Sequence, residues 1–411
     1  MPPSTQLTRF GKAVQGSSCP TTIADLDVLG ELSDGTAAPQ GIYGHVPFCF
    51  HKCHYCDFYS LVDRRDRQPM FVQRLTEELR LAGPYFKRPL RTIFFGGGTP
   101  TLLAAEHWRT VLDAVRDNLS LESGYEFTLE ANPETVHAEL LAVLVDGGVN
   151  RLSLGAQSFQ PKQLEALERW HDPANVERSV KLARAAGIWN INLDLIFAIP
   201  GQSLNAWLAD LDTAVALEPT HLSCYNLTYE SNTPMTAKMR SGAIRPVENE
   251  VEAQMYEATI ERLAEAGFEH YEISNWARPG YRCRHNMMYW ENENWWPLGP
   301  SAAGHIAGTR WRNVPRLDAY LAQGSWPPIC DVEQLDADGR VGEELMLRLR
   351  LIDGVALDRL DELLAVGQRG PQRMAAIAQH IDGGLLQRTS DRLKLTKRGL
   401  LLADLVLADL L

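Results

Sequence analysis

The chain has no run of about 18 or more apolar residues, so the sequence predicts no membrane-spanning helix. The first residues include no apolar segment, and we expect no secretory signal. Positive charge is in deficit: 40 Lys and Arg residues stand against 52 Asp and Glu, a net charge of −12. Because no basic surplus is available to neutralise phosphates, we expect no nucleic-acid partner.

Cysteine is scarce and unevenly placed. Of the seven cysteines, three lie within eight residues, at positions 49, 53 and 56. An odd number with this clustering suits a reducing cytoplasm and a metal site better than a disulfide framework. We therefore expect a cytoplasmic protein. The scattered cysteines are expected to be inert buried thiols: Cys19, Cys224, Cys283 and Cys330.

Short strand-like runs alternate with amphipathic helical stretches from residue 41 onward. The predicted strands are 41–46, 92–95, 125–130, 151–154, 191–197 and 221–225. The predicted helices between them are 69–81, 106–118, 133–146, 175–186 and 204–217. This alternation indicates βαβ units and a parallel sheet. Six units predict an α/β fold, a partial (β/α)6 TIM-like barrel whose chemistry collects at the carboxyl ends of the strands.

Composition divides the chain into four predicted segments. Residues 1–40, rich in Ser, Thr, Pro and Gly, are expected to be a loosely ordered leader, and 41–245 the barrel. Residues 246–335 are expected to be a connecting segment that contains HNMMYW and is rich in Trp, Tyr and Asn from 271 to 311. Residues 336–411 show the order of elements of a mostly α, winged-helix-like domain. Because this last segment has no concentrated basic stripe, we expect a structural or interaction role for it.

The three clustered cysteines, Cys49, Cys53 and Cys56, lie in GHVPFCFHKCHYCDF, directly after the first predicted strand. Such a loop lets three thiolates converge on an iron–sulfur cluster or on zinc. A [4Fe–4S] cube held by three cysteines leaves one iron free for a small molecule. The alternative is zinc bound by the cysteines and one of the histidines His45, His51 and His54. Zinc sites commonly pair cysteines two residues apart, so this spacing favours the iron–sulfur cluster.

The Cys-x3-Cys-x2-Cys run resembles the signature of radical S-adenosylmethionine (SAM) enzymes. In that superfamily SAM chelates the fourth iron, and one-electron reduction cleaves SAM to methionine and a 5′-deoxyadenosyl radical. The resemblance therefore implies a [4Fe–4S] cluster and SAM as cofactors, which the protein binds, orients and shields.

Further motifs follow the strands in the order expected for this superfamily. The segment GGGTP at 96–100 permits close backbone approach and leaves carbonyls and amides free to hold a ligand. Glu130 ends the third strand, where it suits ribose hydroxyls, and Gln157 follows the fourth. Asp194 lies among apolar residues, where a carboxylate is costly unless it is paired or ligand-bound. Arg169 could hold the SAM carboxylate by a bidentate contact; its alternative is a solvated arginine at a helix end.

From residue 41 to the C-terminus these motifs resemble one branch of the superfamily, which contains oxygen-independent coproporphyrinogen III dehydrogenase and its relatives, the haem chaperones of the HemW type. The leader is not part of the resemblance. The resemblance implies contact with SAM for Tyr43, Tyr55, Gly97, Gly98, Thr99, Glu130, Gln157, Arg169 and Asp194.

Two features separate the two relatives. The dehydrogenase has a further cysteine two residues after the last cluster ligand, where this chain has Phe58. HemW-like proteins carry His-Asn-x-x-Tyr-Trp, present here as HNMMYW at 285–290. An imidazole beside aromatic rings suits haem, so the resemblance implies contact between His285 and haem. The alternative is a structural aromatic cluster whose histidine caps a buried polar network.

The resemblance thus implies a haem chaperone that binds a [4Fe–4S] cluster, SAM and haem. Its expected partners are haem and a haem-accepting protein, membrane-associated acceptors included, and a homodimer is a further expectation. We expect no coproporphyrinogen III dehydrogenase activity. Two alternatives stay open: a radical SAM enzyme acting on coproporphyrinogen III or another tetrapyrrole, and a non-catalytic iron–sulfur or zinc scaffold.

Overall fold

The protein is described by a computed structural model that covers residues 22–33, 35, 37–322 and 324–411. One twelve-stranded sheet runs through it. Its strands are β1 (Gly41–Val46), β2 (Leu90–Gly97), β3 (Leu121–Ala131), β4 (Arg151–Gln157), β5 (Asn190–Phe197), β6 (His221–Asn226), β7 (Glu269–Glu272), β8 (Asn275–Ala277), β9 (Trp295–Leu298), β10 (Ala303–Ile306), β11 (Thr309–Asn313) and β12 (Ile329–Gln334). A second, three-stranded sheet contains β13 (Val355–Ala356), β14 (Leu386–Arg388) and β15 (Arg392–Leu395).

The six predicted strands, β1 to β6, pair in parallel in chain order. The predicted α/β partial barrel is therefore confirmed. On one side β9 adds a further parallel strand beside β1, and β10, β11 and β12 continue that edge in antiparallel fashion. On the other side β8 pairs antiparallel with β6, and β7 with β8. The sheet thus extends beyond the six predicted strands at both edges.

Helices cover the outside of the sheet and build the C-terminal part. They are α1 (Val28–Ser33), α2 (Gln68–Ala82), α3 (Ala105–Asn118), α4 (Ala138–Asp146), α5 (Pro161–Ala166), α6 (Ala174–Ala185), α7 (Leu204–Ala216), α8 (Pro234–Arg240), α9 (Asn249–Glu265), α10 (Arg284–Trp290), α11 (Leu317–Leu321), α12 (Ala337–Leu349), α13 (Leu357–Leu364), α14 (Gly370–Asp382), α15 (Lys397–Leu401) and α16 (Ala403–Leu410). None of the helices within the described ranges is long and apolar enough to cross a membrane.

Local sequence explains where several of these helices begin. Ser203 precedes α7, and its hydroxyl accepts a hydrogen bond from the Ala206 amide, which satisfies a helix N-terminus. The predicted helix at 133–146 is instead divided into a 3-10 turn, Pro133–Thr135, and α4. The division follows from His137, whose side chain caps α4 by accepting from the Leu140 amide.

Residues 22–33 differ from the predicted leader. Ile23, Val28 and Leu32 are at most 2% exposed and belong to the main apolar core. Val28 and Leu32 are four residues apart, so they lie on one face of α1 and pack together against the barrel. The prediction of loose order is therefore wrong for these residues. Of the predicted leader, residues 1–21 with Cys19 and residues 34 and 36 lie outside the described residues.

The strands separate an apolar layer from a polar interior. Phe127, Leu152, Leu193 and Leu222 belong to the main apolar core. So do Leu129 on β3, Leu154 on β4 and Leu195 on β5, each two residues further along its strand. The residues between them are polar and buried: Glu126, Thr128, Arg151, Ser153, Asn192, His221 and Ser223. Because side chains alternate across a strand, these polar groups all face the inside of the barrel.

The C-terminal part has its own apolar core. Its order of elements, from α12 through β13, α13, α14, β14 and β15, is that of a winged helix. Leu345, Leu360 and Leu393 lie in a second apolar cluster, separate from that of the barrel. Trp290, at the end of α10, joins this second cluster and so ties the barrel to the C-terminal part.

Candidate functional site

The clustered cysteines lie in the loop between β1 and α2, at the carboxyl end of β1. Cys53 is buried, and Cys49 and Cys56 are half-buried. Burial raises the pKa of Cys56 to about 12, and the neighbouring Cys53 and Cys49 raise it further, while the backbone amide of Phe58 opposes the rise. The Cys56 thiol is thus shielded and close enough to Cys53 and Cys49 for their charges to raise its pKa, and binding to metal would replace its proton. This donor set fits an iron–sulfur cluster.

The structure also bears on the zinc alternative. In the described part of the chain, no three His, Cys, Asp or Glu side chains are placed to share one metal ion. His45, one candidate ligand, has its Nε2 2.7 Å from the Tyr59 carbonyl oxygen and its Nδ1 3.1 Å from the Tyr43 hydroxyl. Both nitrogens of His45 are thus engaged within the protein.

The glycine segment after β2 holds the cysteine loop. The Gly98 amide donates to the Val46 carbonyl at 2.8 Å, and the Thr99 amide to the Phe48 carbonyl at 2.7 Å. The Thr99 hydroxyl lies 3.5 Å from the Cys49 sulfur. A Cβ on Gly98 would come within 2.7 Å of both of these carbonyl oxygens. The expectation that these amides are free for a ligand is therefore wrong, because they fix the loop instead.

Glu130, at the end of β3, meets the same segment. Its carboxylate accepts a hydrogen bond from the Gly97 amide at 3.0 Å. Gly97 adopts φ +102°, and a Cβ there would lie 2.3 Å from the His45 ring, so only glycine fits. Burial raises the pKa of Glu130 to about 7, with the Asp194 carboxylate as the second cause. A carboxyl group whose pKa is raised by burial thus lies against the glycine segment that holds the cysteine loop.

Asp194 is paired within the barrel. Its Oδ2 accepts from the Ser153 hydroxyl at 3.0 Å, and its Oδ1 from the Asn192 side-chain amide at 2.9 Å. The Asn192 carbonyl oxygen lies 2.6 Å from Nδ1 of His221, whose Nε2 lies 2.8 Å from the Tyr271 hydroxyl. Ser153, Asn192 and His221 were not predicted. The sequence feature that could have identified them is the polar residue at every second position of β4, β5 and β6.

Arg169 faces inward from the segment after α5. Its Nη2 donates to the Gly155 carbonyl at 3.1 Å, and its Nη1 lies 3.7 Å from the Cys53 sulfur. A bulge in β4 gives Gln157 φ +62°. Its side-chain Nε2 lies so close to Gly155 that a Cβ on Gly155 would approach it to 2.9 Å. Arg169 is therefore not the solvated helix-end arginine of the alternative interpretation, and it joins Gln157 beside the cysteine loop.

Tyr43 and Tyr55 belong to the same region. Burial raises the pKa of Tyr43 well above its usual value, and the Glu130 carboxylate adds to the rise. Burial also raises the pKa of Tyr55, and the nearby Cys53 adds to it while Arg169 opposes it. The residues predicted to contact SAM thus gather around the cysteine loop at the carboxyl ends of the strands, and their roles remain predictions.

The HNMMYW motif forms α10, which packs on β2. His285 is 1% exposed, with Nδ1 2.8 Å from the Thr92 hydroxyl and Nε2 2.9 Å from the Tyr289 hydroxyl. Its ring stacks on Phe94 at 5.2 Å, and burial lowers its pKa to about 3. Haem ligation would break at least one of these hydrogen bonds. The structure therefore favours the alternative, in which this histidine caps a buried polar network.

The amino end of α10 is held by a residue that was not predicted. Glu126 of β3 accepts hydrogen bonds from the Arg284 and His285 amides, both at 3.1 Å. The Cys283 thiol lies 3.5 Å from the same carboxylate. The buried carboxylate satisfies amides that a helix N-terminus leaves unpaired. The motif is thus anchored to the barrel wall through its backbone as well as through His285.

Comparison with known proteins places this chain in a family. The model of the radical SAM superfamily matches residues 43–214, and that of the HemN C-terminal domain matches residues 335–402. The heme chaperone HemW of Mycobacterium tuberculosis is 40% identical over 389 residues, covering 93% of this chain and 97% of that protein. The chain belongs to the HemW family. HemW of Escherichia coli K12 is 36% identical and that of Bacillus subtilis 35%, covering 90% and 89% of this chain.

A solved structure supports the fold of this HemW-family chain. Coproporphyrinogen III oxidase (HemN) from Escherichia coli, a radical SAM enzyme, superposes with a TM-score of 0.80 over 93% of this chain and 92% of that one. The two sequences are 20% identical, so the likeness shows the fold alone. Membership of the HemW family rests on the full-length relatives, which share the barrel and the C-terminal part together.

Proposed function

We propose that the protein is a haem chaperone of the HemW type, which binds a [4Fe–4S] cluster, SAM and haem and delivers haem to another protein. The observation that carries the proposal is the 40% identity to a named haem chaperone across 93% of this chain. The proposed acceptor is a protein, and the proposed place of action is the reducing cytoplasm, where clustered thiols stay reduced. Association as a homodimer is proposed as well.

In this proposal Cys49, Cys53 and Cys56 bind three irons of the cluster. When bound, the cluster and SAM supply one-electron chemistry at the barrel mouth. The chain's own contribution is to position SAM. Arg169 presents a buried Nε with no hydrogen-bond partner in the described part of the chain, a donor that a SAM carboxylate would satisfy. Glu130 would accept from the ribose hydroxyls.

The local sequence favours the chaperone over the dehydrogenase. Phe58 occupies the position at which the dehydrogenase has its further cysteine, and its backbone amide approaches the Cys56 sulfur. The side chain at this position therefore has no thiol to offer the reaction. We propose that the protein does not decarboxylate coproporphyrinogen III.

One anaerobically reconstituted sample tests these statements together. We expect about four irons and four sulfides per chain, about one haem bound on titration, and no protoporphyrinogen formed from coproporphyrinogen III with SAM and reductant. A variant with all three cluster cysteines replaced by alanine should lose the iron, whereas Cys330→Ala, outside the loop, should keep it. Stoichiometric zinc would reject the cluster. Turnover above the cluster-free control would favour the dehydrogenase.

A further inference from the structure

The segment that follows α5 turns back toward the cysteine loop. The Arg169 amide donates to the Leu164 carbonyl at 2.9 Å. The Glu168 amide donates to the Glu165 carbonyl, also at 2.9 Å, and the two hydrogen bonds together form a Schellman motif. The residue that reverses the chain in this motif is usually glycine, whereas here it is Glu168, with φ +51°. The reversal brings residues 168–170 against the cysteine loop.

Glu168 and Arg169 each contact the loop through a polar group. A carboxylate oxygen of Glu168 lies 3.8 Å from Nδ1 of His54, and the same oxygen lies 3.5 Å from Nζ of Lys238. Nη1 of Arg169 lies 3.7 Å from the Cys53 sulfur. The side chains of Glu168 and His54 are both partly exposed, and ion pairs that solvent reaches contribute little to stability. This pair alone therefore does not hold the loop.

Trp170 makes the most extensive contact of the three residues. Its ring lies parallel to the imidazole of His51, with ring centroids 3.9 Å apart and an angle of 9° between the planes. The side chain of Trp170 is 60% exposed, so this stack is the packing that the indole finds in the folded protein. The next residue, His171, adds no hydrogen bond, since both of its ring nitrogens are buried without a partner in the described part of the chain.

His51 lies in the part of the loop that the backbone holds least. The Cys49 amide donates to the Leu61 carbonyl, and the Cys56 amide to the Cys53 carbonyl. Residues 50–52, between the first two cysteines, make no backbone hydrogen bond to any described residue. Nε2 of His51 is also buried without a hydrogen-bond partner among these residues. Packing against Trp170 is therefore the contact that fixes this part of the loop.

We propose that residues 168–170 clamp the cysteine loop, and that the stack of Trp170 on His51 slows the release of the iron–sulfur cluster. The inference rests on the proposed function, which places a cluster on the three cysteines of this loop. A buried cluster is released when the loop opens, and the free energy of such a local opening is set by the contacts that break. Trp170 is thus a positioning residue that acts through His51.

The test measures how fast iron leaves the anaerobically reconstituted, full-length protein. An excess of the iron chelator bathophenanthroline disulfonate is added, and release is followed by the loss of the visible absorbance of the cluster. The variants are Trp170→Ala, Trp170→Phe, which keeps a ring that can stack, His51→Ala, and the double variant with alanine at both positions. The control is Trp189→Ala, which removes an indole that is 66% exposed and directly precedes β5, at the amino ends of the strands.

We expect Trp170→Ala to release iron about two- to tenfold faster than the wild type, the range that corresponds to the loss of one aromatic pair. Trp170→Phe should stay closer to the wild-type rate, and Trp189→Ala should match it. His51→Ala should show the same acceleration as Trp170→Ala. The double variant should be no faster than either single variant, because both substitutions remove the same contact. Equal far-ultraviolet circular dichroism establishes that the variants are folded.

The outcomes separate the clamp from the proposed function. Iron release at the wild-type rate in Trp170→Ala would overturn the clamp and leave the proposed function standing. The clamp would also be overturned by additive acceleration in the double variant, or by an equal acceleration in Trp189→Ala. A folded Trp170→Ala variant that takes up no cluster, with uptake restored in Trp170→Phe, would support the clamp. If the wild type itself takes up no iron–sulfur cluster, the proposed function is wrong, and the clamp with it.

Discussion

The Nδ1 of His285 lies 2.8 Å from the hydroxyl of Thr92, and this contact joins α10 to β2 across 193 positions of the chain. The same imidazole reaches the Tyr289 hydroxyl through its other nitrogen. A histidine in the HNMMYW motif thus acts as a buried bridge between secondary-structure elements. The motif that most suggested haem contact in the sequence thus also holds α10 to the barrel.

The first prediction concerns His285→Ala. The variant loses two hydrogen bonds and leaves a cavity beside Phe94, so we expect a loss of about 2–4 kcal/mol in the free energy of unfolding. Thr92→Val, which removes one of these hydrogen bonds at nearly constant volume, should lose less, about 1–2 kcal/mol. Thermal and urea unfolding measure both. Haem stoichiometry and the Soret band of folded His285→Ala should match the wild type, and an altered ligand-field spectrum would restore His285 as a candidate ligand.

The second prediction concerns Gly98→Ala. The added methyl group would meet the Val46 and Phe48 carbonyl oxygens at 2.7 Å, so the cysteine loop has to move. We expect a clear loss of iron and sulfide after anaerobic reconstitution. The control is Gly30→Ala on α1, where a Cβ meets nothing within 4 Å and iron content should stay normal. Full cluster occupancy in Gly98→Ala would show that the loop tolerates displacement.

The third prediction concerns Glu130 and SAM. Removal of one hydrogen bond to a charged group costs roughly 1.5–3 kcal/mol, so Glu130→Ala should weaken SAM binding about ten- to a hundredfold. The pKa of Glu130 is raised to about 7, so the stronger acceptor, the carboxylate, becomes more populated as pH rises. Wild-type affinity for SAM should therefore increase from pH 6 to pH 8, and that of Glu130→Gln should stay flat.

Isothermal titration with SAM measures these affinities, and the electron paramagnetic resonance spectrum of the reduced cluster reports the contact. Glu139→Gln on the exposed side of α4 is the control and should behave as the wild type. Equal affinities for SAM in wild type and Glu130→Ala would reject the role assigned to Glu130.

The fourth prediction concerns pH and stability. Burial lowers the pKa of His270 to about 4, whereas in the unfolded chain it is near 6.5. Below pH 6.5 the unfolded state therefore binds more protons at this residue, and stability is lost as pH falls toward 4. Over this range, protonation of His270 lowers the free energy of unfolding by up to about 1.4 kcal/mol per pH unit.

His270→Phe isolates this effect, because the aromatic ring can keep the stack on Trp276, with ring centroids 4.3 Å apart. Its stability, measured by urea unfolding between pH 7 and pH 4.5, should fall less steeply than that of the wild type. Parallel curves for the two proteins would show that His270 does not titrate differently in the folded state.

The sequence by itself determined the barrel and the place of the site. Strands and helices have different periods, and their alternation was enough to predict β1 to β6, each of which overlaps its observed strand. The cysteine loop and the glycine segment were found because their members are close in the chain. The edge strands β7 to β12 were not predicted, since they are short and their pairing depends on partners that are distant in sequence.

Only the tertiary structure decided what the side chains meet. The partners of Asp194 come from two strands, and the stack of Trp170 on His51 joins residues 119 positions apart. The HNMMYW sequence alone does not reveal the environment of His285. The same local sequence is compatible with an imidazole held between Thr92 and Tyr289 and with an imidazole that faces a ligand. Burial and hydrogen bonding are set by packing between segments that are distant in the chain. That packing makes His285 a bridge between α10 and β2, and it leaves the ring nitrogens of His171 without a hydrogen-bond partner among the described residues.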